Sequence, residues 1–194
     1  MDPNLARTKT NVPQPGFVGK NYAAHRILLV GQNPAESKQR LEVRDAPYME
    51  ALRQLGRTPT PETLTQFQDV VRAYAEDWPI TRAYFPLQRC GLTLDDIAYC
   101  NLVRCRTTSD AAPGPRLVGA CVSTHFDQWL MRLAPRLVVF IGRWAADRGA
   151  AACARQKLEF VWLSRQRNLP TEARETGIAA VVDAVRRAAA VSPS

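Results

Sequence analysis

Four short segments of the chain are apolar on both faces of an extended strand. They are "RILLVG" at 26–31, "IAYCNLV" at 97–103, "LVVFIG" at 137–142 and "LEFVWLS" at 158–164. Each is too brief for a helix, and the first is stopped sharply by Gly31 and by Asn33-Pro34. Between and around them the apolar positions take helical spacing. This holds for "PYMEALRQLG", for "TPETLTQFQDVVRAYAEDW", for "PRLVGACVSTHFDQWLMRLAP" and for "TEARETGIAAVVDAVRRAAA". Thr60 before Pro61 and Glu62 marks a helix start. Strands that are apolar on both faces and alternate with helices predict an α/β fold, a three-layer αβα sandwich around a central four-stranded parallel sheet. Residues 1–24, with three prolines and two glycines, predict an arm lying over the surface.

In such sheets ligands bind beyond the carboxyl ends of the strands, which turns the strand ends into a candidate site. After the first strand come Gln32, Asn33, Pro34 and Ala35. Asn101 lies in or just after the second, Gly142-Arg143-Trp144 follows the third, and Ser164 to Leu169 follows the fourth. No phosphate loop, dinucleotide fingerprint or nucleophile elbow is present, so those common chemistries lack their parts. His25 and His125 are far apart and read as surface or helix-face residues, and Asp95-Asp96 as caps at the approach to the second strand.

Composition narrows the partner. A chain of 194 residues fits one domain, and its formal charge of +8, carried mostly by arginine, favours nucleic acid. The first ten residues hold no apolar core of a leader and no run is long enough to span a bilayer, so a cytoplasmic protein without membrane contact is expected. Five cysteines in a reducing compartment read as buried thiols or metal ligands rather than disulfides.

At the strand ends the chain resembles the uracil-DNA glycosylase superfamily. Gly31-Gln32-Asn33-Pro34-Ala35 is similar to the family's first motif, "DIAYCNLVRCRTT" to its second conserved strand, and "PYMEAL" to the segment whose aromatic residue lies on the flipped base. The resemblance covers about residues 22–187 and treats about 56–88 as a helical insertion in a single domain spanning 1–194. It implies that the protein flips uracil out of DNA and hydrolyses its glycosidic bond. Asn33 would orient the water with Gln32 beside it, while Gly31, Pro34, Ala35, Tyr48 and Asn101 would hold the base. Ser164, Arg165, Gln166, Arg167, Asn168 and Leu169 would form the DNA-contacting wedge.

The layout is closest to the iron-sulfur branch, in which two cysteines sixteen positions apart bind the cluster, as Cys105 and Cys121 are spaced here. That branch's N-terminal Cys-x-x-Cys is absent, so no cofactor and no metal are expected. The family histidine after the fourth strand is also absent, with Leu163 or Ser164 at its place in "WLSRQRNLP". The expected partners are uracil-containing DNA and, as product, free uracil, the protein acting as a monomer. Two other readings stay open. One is a protein of the same fold that grips uracil or abasic sites without cutting; the other is a nucleobase or nucleotide enzyme on a similar sheet.

Overall fold

The computed structural model describes residues 14, 16–34, 46–75, 85–108, 111–164 and 169–190. The four apolar segments form β2 (Ile27–Gly31), β3 (Ile97–Asn101), β4 (Leu137–Ile141) and β5 (Glu159–Leu163). All four run parallel. Every residue of β2, β3 and β4 is buried, which is what strands covered on both faces require. At the far edge β5 exposes Phe160 and Trp162.

The sheet has five strands rather than the expected four, in the order β1-β3-β2-β4-β5. The addition, β1 (Phe17–Val18), comes from the arm and pairs antiparallel with β3, Phe17 opposite Tyr99 and Val18 opposite Ala98. Without it the outer backbone groups of β3 would lack partners, and buried backbone groups must be paired. Two residues are too few to display a strand period. Gly16 makes the approach possible. Its φ is +92°, and a Cβ there would lie 2.6 Å from the Tyr99 carbonyl oxygen.

Seven α-helical segments are described: α1 (Tyr22–His25), α2 (Ala46–Arg57), α3 (Pro61–Ala75), α4 (Pro115–Cys121), α5 (Asp127–Leu133), α6 (Arg143–Arg155) and α7 (Thr171–Ala190). A π-helical turn, Val122–Phe126, joins α4 to α5. On one face of the sheet, α7 packs Val181, Ala184 and Val185 over Ile27, Leu29, Leu137 and Val139. On the other, the π-turn, α5 and α6 cover Leu28, Val30, Val138 and Phe140. These are the expected three layers. The hairpin of α2 and α3 forms a smaller core with Phe17 at the β1 edge, containing Tyr48, Met49, Phe67 and Val71.

Helix α6 carries no large apolar stripe in its sequence, because the residues it buries are Ala145, Ala146, Gly149, Ala152 and Cys153. Small side chains let it lie directly on β4. A Cβ at Gly149 would be 2.4 Å from the Phe140 ring. At the amino ends of the strands, Asp96 caps its own 3-10 turn through Thr93 and accepts from Asn21 Nδ2 at 3.1 Å. Asp95 pairs with Lys20 and with Arg72 of α3. Both acids therefore fasten the arm and the helical hairpin to the start of β3.

Gly149→Ala is expected to destabilise the protein by about 1–3 kcal/mol through overpacking against Phe140, read from urea unfolding. A second expectation concerns alkali. Burial pushes the thiols of Cys100 and Cys153 up from 9.0 to about 12. Below pH 9 the proton is present in both states; between 9 and 12 the unfolded chain ionises thiols that the folded core keeps protonated. Stability should therefore fall as pH rises through that window, and Cys100→Ala should make the fall shallower.

Candidate functional site

From β2 the chain goes on to β3 on one side and then to β4 on the other, so the topological switch point, where such sheets bind ligands, lies at the carboxyl end of β2. Gly31, the last residue of β2, pairs with Asn101, the last of β3. The two chains stay joined past the strand ends. Leu102 N–H donates to the Gly31 carbonyl at 2.8 Å and Val103 N–H to that of Gln32 at 2.9 Å. The turn after β2 and the loop after β3 are thereby held side by side.

Asn33 sits in that turn, half-buried, with Gly31 and Pro34 buried around it and Gln32 half-buried. Its Nδ2 donates to Thr107 Oγ1 at 3.0 Å and to the Pro34 carbonyl at 3.2 Å. Thr107 is itself fully buried, so it is a fixed anchor. Both amide hydrogens have acceptors, and among the described residues no donor reaches Oδ1. A carboxamide so held presents an acceptor and nothing else.

Asn101 is 8% exposed, and its Oδ1 accepts from the Tyr99 hydroxyl at 2.7 Å. The two residues are neighbours on one face of β3 because they are two apart in a strand. Arg104, in the loop beyond, lies over the Trp129 ring at 5.3 Å from its centroid. Burial, and then the Arg104 charge, hold His125 below its usual pKa, which favours its neutral form.

The other expected site residues distribute unevenly. Tyr48 is a correction. It is 2% exposed, with its ring 5.7 Å from that of Phe67, so it belongs to the α2–α3 core and offers no open face for a base. Leu163 is buried in the core under α7, whereas Ser164, half-buried, stands at the sheet's carboxyl edge. The end of β5 is tied to the head of α6 by Gly142 N–H donating to the Leu163 carbonyl at 2.7 Å. Leu169 is half-buried; Ala35, Arg165, Gln166, Arg167 and Asn168 lie outside the described residues. Thr107 and Tyr99 were not foreseen. Tyr99 was within reach of the period-2 rule, while nothing in "CRTTSD" marks Thr107 as the partner of Asn33.

The cysteines do not fit a four-thiolate cluster. Burial first, and then the charge of the Cys121 thiolate, hold Cys105 above its usual pKa. Cys90 packs against the α7 face, and Cys100 and Cys153 lie in the core under α5 and α6. All five are free thiols. Among the described residues no three His, Cys, Asp or Glu side chains come together as metal ligands. Nor is any described helix long and apolar enough to cross a membrane.

A family model described as the uracil DNA glycosylase superfamily matches residues 20–183. No curated protein matches the chain. The match spans β2, β3, β4 and β5 and takes in both carboxamides.

Thr107→Val keeps the shape and removes the anchor of Asn33. It is expected to cost about 1 kcal/mol in urea unfolding and to shift the Asn33 side-chain amide resonances in a nitrogen-15 spectrum.

Proposed function

The chain belongs to the uracil-DNA glycosylase superfamily, and from that membership we propose that it hydrolyses the N-glycosidic bond of uracil in DNA. The observation that carries this reading is the carboxamide of Asn33, with both hydrogens engaged and its oxygen left to accept.

The base must first leave the stack, because its sugar carbon is out of reach inside a duplex. Uracil then lies over the turn after β2, where backbone N–H groups of Gln32 and Asn33 are the donors for its carbonyl oxygen. Pro34 supplies no N–H and instead fixes the turn. Asn101 meets the base's pairing edge, its oxygen accepting from N3–H and its NH2 donating to O4. As the bond from N1 to C1′ lengthens, the electron pair stays with uracil and the sugar becomes cation-like. A water accepted by Asn33 Oδ1 attacks C1′ and gives up its proton to solvent. The products are an abasic site and free uracil.

An amide cannot take a proton at neutral pH, but a dissociating substrate needs only an oriented water. Ser164 and the segment Arg165 to Leu169 contact the strand beside the flipped base, with arginine on phosphate and Leu169 pressing into the stack. The protein works as a monomer.

A second reading rests on one departure from the family: no histidine follows β5, where the chain has Leu163-Ser164. In this second reading the chain grips uracil or abasic sites without cutting. Incubation with uracil-containing oligonucleotide followed by alkali separates the two. Strand scission above an enzyme-free control supports hydrolysis, and tight binding without scission supports the gripping protein. Within the hydrolytic reading, Asn33→Ala is expected to lower the single-turnover excision rate by about 10²-fold while substrate affinity changes little. Equal losses in rate and affinity would assign Asn33 to binding.

A further inference from the structure

A carboxamide is nearly symmetric in shape and opposite in hydrogen-bonding sense at its two ends. Turned one way, Asn101 reads the pairing edge of uracil, which offers an N3–H and accepts at O4. Turned the other way, it reads cytosine, which accepts at N3 and donates from its amino group. Base choice therefore depends on whatever fixes that rotation. Nothing in Asn101 itself does so.

We infer that Tyr99 sets the base preference of this site by fixing the rotation of the Asn101 carboxamide; the inference rests on the uracil reading above. The Tyr99 hydroxyl donates to Asn101 Oδ1 at 2.7 Å. Its ring is 6% exposed and packs in the core with Ile97, Leu92 and Leu29, on a strand paired along both edges. The phenol is thus placed by the fold and not by the ligand. An amide oxygen has two lone pairs. The one on the side of the NH2 group belongs to the edge that meets a base, and the other is available to the phenol, so the pin and the reading do not compete. If the amide turned over, the phenol O–H would lose Oδ1 of Asn101 as its acceptor. The two orientations then differ by roughly one neutral hydrogen bond, enough for a several-fold preference.

Tyr99→Phe removes only the hydroxyl and keeps the ring in the core. The experiment compares the wild type, Tyr99→Phe, Asn101→Ala and the double variant. Each is assayed for alkali-revealed excision from single-stranded oligonucleotides carrying one uracil or one cytosine, and for affinity to the same oligonucleotides. Thermal unfolding confirms that each is folded. Tyr99→Phe is expected to reduce the uracil-to-cytosine preference by roughly three- to tenfold. In the Asn101→Ala background the same change should have no effect on preference, because the phenol acts only through the amide. An unchanged preference in Tyr99→Phe, or an equal loss with and without Asn101, overturns the inference. If the wild type cuts neither substrate, hydrolysis fails as the function, and the role of Tyr99 is decided by the affinity ratio alone. A wild type with no preference in either measurement overturns it as well.

Discussion

Two backbone hydrogen bonds beyond the end of the sheet organise everything at this site. Parallel strands ordinarily part at their carboxyl ends, where each chain turns off toward its own helix. Here Leu102 and Val103 continue to donate to Gly31 and Gln32 after β2 and β3 have ended. The turn carrying Asn33 is thereby placed against the loop carrying Thr107, and Asn101 is kept beside Gly31. The cost of ordering two loops against each other is largely met by groups that must find partners in any case, since buried backbone N–H and C=O are rarely left unpaired.

On that frame two asparagines are held in opposite senses. Thr107 engages the NH2 of Asn33 and leaves its oxygen, while Tyr99 engages the oxygen of Asn101 and leaves its NH2. A hydroxyl can donate or accept, so the same kind of anchor serves both arrangements. Each anchor is buried, Thr107 completely and Tyr99 almost so, and water does not compete for it. Under the proposed function these opposite senses supply an acceptor for a water near the sugar and a donor toward the base.

Strands β2 and β4 were legible in the sequence because burial on both faces leaves no polar position. Strand β3 has a polar residue only at its last position, Asn101, and β5, though exposed at the edge, is still mostly apolar; all four lie within the apolar runs. Helices α2, α3 and α7 followed from their apolar spacing. What periodicity could not show was packing by small residues or by backbone. Helix α6 buries alanines and a glycine, and β1 is two residues kept on the sheet by edge pairing and Gly16. The positions of Asn33 and Asn101 were legible from the rule that ligands sit at strand ends. Their orientations were not, because a carboxamide is turned by partners up to 74 residues away in the chain. Tyr48 misled for a related reason. An aromatic residue at the start of an amphipathic helix has the same local pattern whether it faces a ligand or a second helix, and Phe67 of α3 decides for the helix.

If the protein hydrolyses uracil from DNA as proposed, the missing histidine changes how the departing base is stabilised. With Leu163 turned into the core, no imidazole reaches the crevice from the end of β5. In the hydrolytic reading proposed above, the developing charge on uracil is met by backbone N–H groups of the turn after β2, of which Pro34 removes one, or by an arginine of the segment 165–167. Fixed donors act without reorganising as charge builds, and their effect depends on how rigidly they are aimed. Here that rigidity is supplied by the Val103 bond to the Gln32 carbonyl and by the double anchorage of the Asn33 amide. The bonds that orient the water therefore also stiffen the turn facing the leaving group, so that in the hydrolytic reading Thr107 supports both halves of the reaction.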